Sequence, residues 1–306
     1  MTVSDKRLIR ANVGAACLHC FLLIALLVFY YRSDELNTSV SLFEEAPVYV
    51  GDRCECIPQS GLKTTNSSVD IFWMTVSFTV ITLGAHIFYA SNVKNIYSNT
   101  LESGKNPYRW IEYSLSASIM LSILSVLSGN KDRLLFILMF VATFSQMLQG
   151  YCIESAVANG GSIADKLVPL VAGWVLLLGT WYVIYNQWFR ALSYASENLE
   201  YCNAISEDDD FAKPPDFIKH LISVVFVFFS SFGFVNLAYV VHSFYGNAKI
   251  NYKSYELCYI ILSFVAKATL ILWCMSSVFK GGLAWLKGNG CADSNDGKCN
   301  SYITTR

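Results

Sequence analysis

The sequence predicts an all-α membrane protein, a bundle of seven transmembrane helices. Hydrophobic residues make up 54% of the 306 residues and charged residues only 15%, and the mean hydropathy is +0.41. Such a composition is too apolar for a soluble domain of this length. Seven apolar runs divide the chain, each near the roughly 20 residues that a helix needs to cross a bilayer. We find no internal repeat and expect a single domain over residues 1–306.

The composition also limits the classes of function. The net charge is −1, and no basic patch with interleaved aromatic residues predicts nucleic-acid binding. No glycine-rich phosphate loop is present, and no histidine or cysteine spacing is typical of a metal site. No catalytic site for a chemical substrate is visible, so we expect a membrane protein that is not an enzyme and whose surroundings are lipids.

The first span is predicted over residues 11–31, and Lys6, Arg7 and Arg10 precede it. Its apolar region is longer than that of a signal peptide, and no small-residue cleavage motif follows. We therefore expect a retained signal anchor. The other spans are predicted over residues 71–91, 110–128, 134–153, 167–189, 217–244 and 257–279.

Two loops between the spans have their own patterns. In the first loop, residues 48–57 read VYVGDRCECI, which predicts a short β-hairpin turning at Gly51-Asp52. The fifth loop carries the acidic run 207–210 followed by Lys213 and two prolines. A solvated linker is the simpler interpretation of the acidic run, and a regulatory or partner-binding segment is the alternative.

Seven spans place the termini on opposite sides, and we expect the N terminus in the cytoplasm and the C terminus outside. Charge counting over all loops leans the other way, but the first span follows basic residues and precedes an acidic loop, and the first helix usually dominates. The first loop also contains two glycosylation sequons, at Asn37 and Asn66, which have meaning only outside the cytoplasm. Four cysteines would then lie on the oxidising side: Cys54, Cys56, Cys291 and Cys299. Whether either asparagine is glycosylated, and whether Cys291 and Cys299 are bridged, stays open.

The seventh span carries a single charge, Lys267, almost at its centre. Insertion of such an ammonium group costs about 3 kcal/mol, so an ionisable group at this depth is a functional hypothesis by default. One interpretation is a structural ion pair. The other is an amine that has formed a Schiff base with an aldehyde, because a desolvated lysine is a good nucleophile.

Few polar groups inside the spans can meet this lysine. Glu112 lies near the start of the third span and Glu154 at the end of the fourth. Because the ends of successive helices alternate between the two sides, His19, His86, Glu112 and Glu154 are predicted to share one half of the membrane, the cytoplasmic half in our orientation. Each histidine has two equally favoured interpretations. It is either a hydrogen-bonded core residue or a member of a proton network.

Two motifs resemble a known family. Residues 106–118 read NPYRWIEYSLSAS in the third span, and Ser263-Phe-Val-Ala-Lys267 lies in the seventh. Together with His19, His86 and the long first loop, they are similar to the heliorhodopsins, microbial-type rhodopsins of inverted topology, over all seven spans. The resemblance implies all-trans-retinal on Lys267 as a Schiff base, Glu112 as its counterion, a homodimer, and His19 with His86 in a polar cavity on the cytoplasmic side.

The surroundings of the pair fit that expectation. Ser263 precedes Lys267 by four residues and Ser116 follows Glu112 by four, so each serine shares a helix face with its charged neighbour. Aromatic residues that could wall a polyene are Trp110, Tyr113, Trp174, Phe228, Phe229 and Phe232. If Pro107 starts the third helix, Glu112 lies shallower than Lys267, so either the lysine tilts toward it or the helix begins earlier.

Departures from the pattern of proton-pumping rhodopsins narrow the function. Ser263 and Ile123 stand where a pump would carry carboxylates, so we do not expect an efficient pump. The leading hypothesis is a light sensor that signals through its cytoplasmic face to a partner that the sequence does not identify. The alternative is a light-gated passive proton conductor. A third hypothesis is a retinal-free receptor or transporter in which Lys267 simply pairs with Glu112.

Overall fold

The computed structural model describes residues 3–33, 38–49, 58–205, 215–245 and 252–283. In these ranges, seven helices are long and apolar enough to cross a bilayer, which confirms the predicted membrane bundle. The elements in chain order are α1 (Asp5–Arg32), β1 (Ser39–Tyr49), β2 (Pro58–Asp70), α2 (Ile71–Ser91), α3 (Ile96–Glu102), α4 (Pro107–Leu127), α5 (Arg133–Ala158), α6 (Ile163–Ile205), α7 (Asp216–Phe244) and α8 (Tyr252–Trp273), which continues as a π-helix over Cys274–Gly282. The chain is an integral membrane protein, and α3 is the one short α-helix in the described ranges.

Most of the spanning helices are longer than predicted. The first begins at Asp5, the fourth ends at Ala158, and the seventh begins at Tyr252 rather than at residue 257. Hydropathy marks only the part of a helix that meets lipid, whereas backbone hydrogen bonding continues into the polar interface until a capping residue ends it. Hydropathy therefore places the polar residues at the helix ends in loops.

Three polar residues fix the starts of helices around the site. The Asp70 side chain accepts hydrogen bonds from the backbone N–H groups of Phe72 and Trp73 at the start of α2. Asn106 caps α4 in the same way, and Asp132 caps α5. Each satisfies amide groups of a first turn that have no partner within the helix.

The core of the bundle surrounds α4. Every residue from Met120 to Ser128 is buried, and Leu121, Ile123 and Leu124 are completely inaccessible. The helices packed on α4 include α2 and α5, and the other spans close the bundle outside them. Because α4 is buried over most of its length, its side chains can face several helices at once.

The hairpin is larger than predicted and has another register. Its antiparallel strands pair Ser39 with Asp70 at one end and Tyr49 with Pro58 at the other. The predicted turn at Gly51-Asp52 lies outside the described residues. Many Ser, Thr and Lys residues in the strands resemble loop sequence, because neither face of most of the hairpin needs to be apolar.

The hairpin is fastened to one end of the bundle. The backbone N–H of Phe43 donates to the carbonyl of Lys131, between α4 and α5, over 2.8 Å. Lys131 also lies over the Phe43 ring, and burial lowers the pKa of its ammonium group. We call this the hairpin end of the bundle, and we call the opposite end, which carries α3, the α3 end.

The loop between α2 and α4 holds a feature that the sequence analysis missed. After two left-handed asparagines, Asn92 and Asn95, the chain forms α3, whose Tyr97 is only 1% exposed. This aromatic side chain reaches from the loop into the bundle.

Several predicted features lie outside the described residues. They are Asn37, the four cysteines Cys54, Cys56, Cys291 and Cys299, and the acidic run 207–210 with Lys213. Asn66 lies within the described residues, in β2.

Candidate functional site

The central feature of the site is a buried ion pair between α8 and α4. The Nζ atom of Lys267 lies 2.5 Å from Oε1 of Glu112, and the two side chains are 4% and 7% exposed. The same oxygen accepts a hydrogen bond from the Thr82 hydroxyl of α2 over 2.7 Å. Three helices thus converge on one carboxylate deep inside the membrane.

The predicted difficulty over the depth of Glu112 is resolved by the lysine. Asn106 caps α4 through the Arg109 N–H over 3.2 Å, and Pro107 occupies the first turn. The helix does not begin earlier, so the long side chain of Lys267 reaches toward the α3 end to meet Glu112. This direction also lays its ammonium group 5.1 Å from the centre of the Tyr113 ring.

A cavity of about 320 Å³ opens beside the Lys267 ammonium group. We call it the anchor cavity. Its walls are mostly apolar, with the hydroxyl-bearing residues close to the lysine. The lining residues are Tyr113, Ser116, Ala117, Met120, Met147, Phe229, Phe232, Ser263, Ala266 and Lys267.

A second cavity, of about 410 Å³, continues from the first between α4, α5, α6 and α7. We call it the distal cavity. The two share Met147, Phe229 and Phe232 as lining residues, so they follow one another away from Lys267. Trp110 and Trp174 line the distal cavity as well.

Glycines make room for these two indole rings. A Cβ atom on Gly150 would collide with the Trp110 ring, and one on Gly233 would lie 2.8 Å from the Trp174 ring. Both glycines line the distal cavity, together with Gly173. The shape of this cavity therefore depends on the absence of three side chains.

The structure brings most of the predicted pocket residues together. Ser116, Ser263, Tyr113, Phe229 and Phe232 line the anchor cavity, and the two tryptophans line the distal one. Phe228 lines neither cavity and packs partly buried against the core. The sequence analysis missed Thr82, both methionines and the glycines, because nothing in their local pattern separates them from ordinary core residues.

The two predicted histidines lie in contact. The rings of His19 and His86 are stacked, with centroids 5.6 Å apart and planes at 15°. His19 is completely buried, and neither of its ring nitrogens has a hydrogen-bond partner among the described residues. His86 lies one helical turn beyond Thr82 on α2, so the histidine pair adjoins the Glu112 carboxylate on the side of the α3 end.

Glu154 belongs to a separate cluster nearer the α3 end. Arg109 forms ion pairs with Glu154 of α5 and with Glu256 of α8, and all three side chains are at most 2% exposed. Glu256 escaped the sequence analysis because it directly precedes the predicted seventh span. We call these three residues the arginine triad.

Neutral groups complete the arginine triad. Glu154 Oε2 accepts hydrogen bonds from the Asn106 N–H and the Tyr252 hydroxyl, over 3.1 and 3.0 Å. Glu256 Oε1 accepts from the Asn106 side-chain amide and the Tyr97 hydroxyl, each over 3.0 Å. The Tyr97 hydroxyl in turn accepts from Asn12, which also contacts His86.

A chain of hydrogen bonds therefore links the histidine pair to the arginine triad. It runs from His86 to Asn12, Tyr97 and Glu256, with donor–acceptor distances of 2.8, 3.1 and 3.0 Å. The sequence analysis placed His19, His86, Glu112 and Glu154 in one half of the bundle. In the structure they lie in two groups that this chain connects.

Comparison with known proteins agrees with these features. The family model for heliorhodopsins matches residues 8–283. This range includes all seven predicted spans, the Lys267–Glu112 ion pair, the histidine pair and the arginine triad. No curated protein sequence was found to match the chain. Members of the matched family are light-sensing membrane rhodopsins with a retinal chromophore. Since the match covers well over half of its length, the chain belongs to the heliorhodopsin family.

Proposed function

We propose that this protein is a light sensor that carries all-trans-retinal as a protonated Schiff base on Lys267, with Glu112 as the counterion. The observation that carries the proposal is the buried contact of 2.5 Å between the Lys267 amine and the Glu112 carboxylate, at the mouth of the anchor cavity. A carboxylate at this position keeps a positive charge on the lysine nitrogen in surroundings that would otherwise disfavour it.

The two cavities fit a long apolar group attached to Lys267. The anchor cavity begins at the Lys267 amine, between α4, α7 and α8. Its apolar walls suit a polyene, and the distal cavity continues away from the lysine, as an extended chain requires. Retinal bound in this way supplies the absorption of visible light and a change of shape on illumination.

The residues of the chain have distinct tasks in this proposal. Glu112 balances the charge, and Thr82 holds the carboxylate by its hydrogen bond of 2.7 Å. The polyene is confined beside the lysine by Tyr113, Phe229 and Phe232. Trp110 and Trp174 bound the far end, where the glycines leave room.

The residues between Glu112 and the hairpin end favour light sensing over pumping. Ser263 and Ile123 occupy the positions where pumps carry carboxylates. Beyond Glu112 on that side, the described buried residues of α4 are apolar or carry only hydroxyl groups, as Leu124, Leu127 and Ser122 do, and none of them is an acid or a histidine. Net proton transport needs proton-exchanging groups on both sides of the chromophore, so the concentration of buried acids and histidines toward the α3 end supports a sensor.

Reconstitution tests the proposal directly. Adding all-trans-retinal to the expressed protein should give a visible absorption band that is absent from Lys267→Ala. Glu112→Gln should shift the band to longer wavelength or release the Schiff-base proton. A wild-type protein without a band would refute retinal binding, and the Lys267–Glu112 contact would then be a structural ion pair of a retinal-free receptor or transporter.

A light-gated passive proton conductor is the second candidate. It is favoured by the hydrogen-bonded chain from His86 to Glu256 and by the proximity of Glu154. Photocurrents under voltage clamp separate the two functions. A passive current that reverses with voltage supports the conductor, whereas electrical silence supports the sensor.

For the orientation, we propose that the α3 end faces the cytoplasm and the hairpin end faces outward, in the plasma membrane. The hairpin end carries the Asn66 sequon, and the N terminus lies at the α3 end. Mapping of glycans and of protease cleavage on the hairpin tests this. We further propose a homodimer, as family membership suggests, and a cytoplasmic signalling partner; cross-linking in membranes tests the dimer.

A further inference from the structure

The arginine triad contains one cation and two acids in a place without solvent. Arg109, Glu154 and Glu256 are 2%, 0% and 1% exposed. If all three groups were ionised, the cluster would carry one uncompensated negative charge. A buried charge without a partner is strongly unfavourable, and two carboxylates that share one site do not both ionise readily.

No other cation in the described part of the chain pairs with either carboxylate. The Lys267 ammonium group is engaged by Glu112. Lys253, next to Tyr252 in sequence, pairs with Asp5 over 2.6 Å near the surface. The remaining titratable groups that face the triad are tyrosines, which are neutral: Tyr89 of α2, Tyr97 of α3, Tyr113 of α4, Tyr239 of α7, and Tyr252 and Tyr259 of α8.

Glu154 and Glu256 have equivalent sets of hydrogen-bond partners. Each carboxyl group presents one oxygen to the Arg109 guanidinium and turns its other oxygen to two neutral donors. Asn106 donates to both, through its backbone to Glu154 and through its side chain to Glu256. One partner of each acid is a tyrosine hydroxyl, which can accept as well as donate, so either acid can hold the proton while the other stays ionised.

We propose that Glu154 and Glu256 together hold one proton, so that the arginine triad is neutral and forms a proton-binding site separate from the Lys267–Glu112 pair. The proton ties the two acids into one unit: removing either carboxyl group removes the proton as well, because the remaining carboxylate then balances Arg109 alone. No residue of the triad lines either cavity, so the proposal does not depend on retinal binding.

Infrared spectroscopy of the full-length protein in the dark tests this. At about pH 8, far above the ordinary carboxyl pKa of about 4, exposed acids are ionised and only a protected acid shows the C=O stretch of a protonated carboxyl group. The difference spectrum between wild type and Glu154→Gln should contain one such band, and so should the difference with Glu256→Gln. Subtraction cancels any contribution from Glu112.

Glu102→Gln, at the exposed end of α3, is the matched control and should leave the band unchanged. A difference spectrum without the band for either triad variant would overturn the proposal, because two ionised acids balanced by a bound cation give that result, and so does an acid that keeps its proton when the other acid is removed. Should a variant fail to fold, wild type grown with heavy-carbon glutamate replaces it. The labelled band must then move, and a spectrum without a glutamic acid band refutes the site.

Discussion

The side chain of Asn12 on α1 fixes the direction of the hydrogen bond that it makes with His86 on α2. Its amide nitrogen donates to the Leu8 carbonyl over 3.0 Å, and a carbonyl can only accept. The amide oxygen therefore faces His86 Nδ1, 2.8 Å away, and Nδ1 must carry the hydrogen. The neutral ring is thus held with Nε2 free to accept a proton.

This relationship predicts the effect of Asn12→Leu. The variant removes the acceptor, so His86 should lose its preference for the Nδ1–H tautomer, which nitrogen NMR chemical shifts report. His242, which contacts Tyr255 elsewhere, serves as an internal reference. An unchanged His86 tautomer in the variant would contradict the assignment.

Because Lys267 and Glu112 form an ion pair, the effects of their substitutions on the stability of the retinal-free protein should not be additive. Glu112→Gln or Lys267→Met alone leaves a buried charge without its partner, at a cost of about 3–5 kcal/mol. The double variant removes both charges and should recover most of that loss. Thermal unfolding of all four proteins measures the coupling, and additive effects would mean that the pair is not formed.

Gly150→Ala should disturb the distal cavity. The added methyl group collides with the Trp110 ring, and overpacking of this kind costs about 1–3 kcal/mol. We expect a lower unfolding temperature and slower formation of pigment on addition of retinal. Gly179→Ala, on α6 where nothing lies within 4 Å of a new Cβ atom, is the matched control and should behave as wild type.

Tyr97→Phe should loosen the loop helix α3. The lost hydroxyl leaves an amide hydrogen of Asn12 and a carboxyl oxygen of Glu256 each short of one partner, at about 1–3 kcal/mol. Thermal unfolding should detect the loss. Tyr182→Phe changes a hydroxyl that is far more exposed, and a similar decrease in that control would argue against a specific role for Tyr97.

The sequence predicted the features that arise from burial of charge and from membrane thickness. Lys267 stands out because nothing else in its span is charged, and Glu112 is one of few acids that can reach it. The same reasoning missed Glu256, because an acid at the edge of an apolar run is indistinguishable from an interfacial one. Its significance comes from Arg109 of α4, which is distant in sequence.

Other parts of the site depend on contacts that no local pattern encodes. Asn12 and Tyr97 look like ordinary residues of a helix start and a loop, and only the packing of α1 against α2 and of α3 on the bundle joins them. The hairpin was predicted too short for a different reason. Most of its strand residues are polar, so the alternation that identifies a half-buried strand is visible only where Val40 and Leu42 are buried.

The deep burial of most of α4 has a consequence for how the protein is made. This helix carries Arg109, Glu112 and a series of serines, and a charged side chain without its partner is strongly unfavourable inside a bilayer. Alone in lipid, α4 would be a poor transmembrane segment. Its stable residence in the membrane requires that α2 and α5, which supply partners for these polar groups, arrive with it, so biogenesis must treat these helices as one cooperative unit.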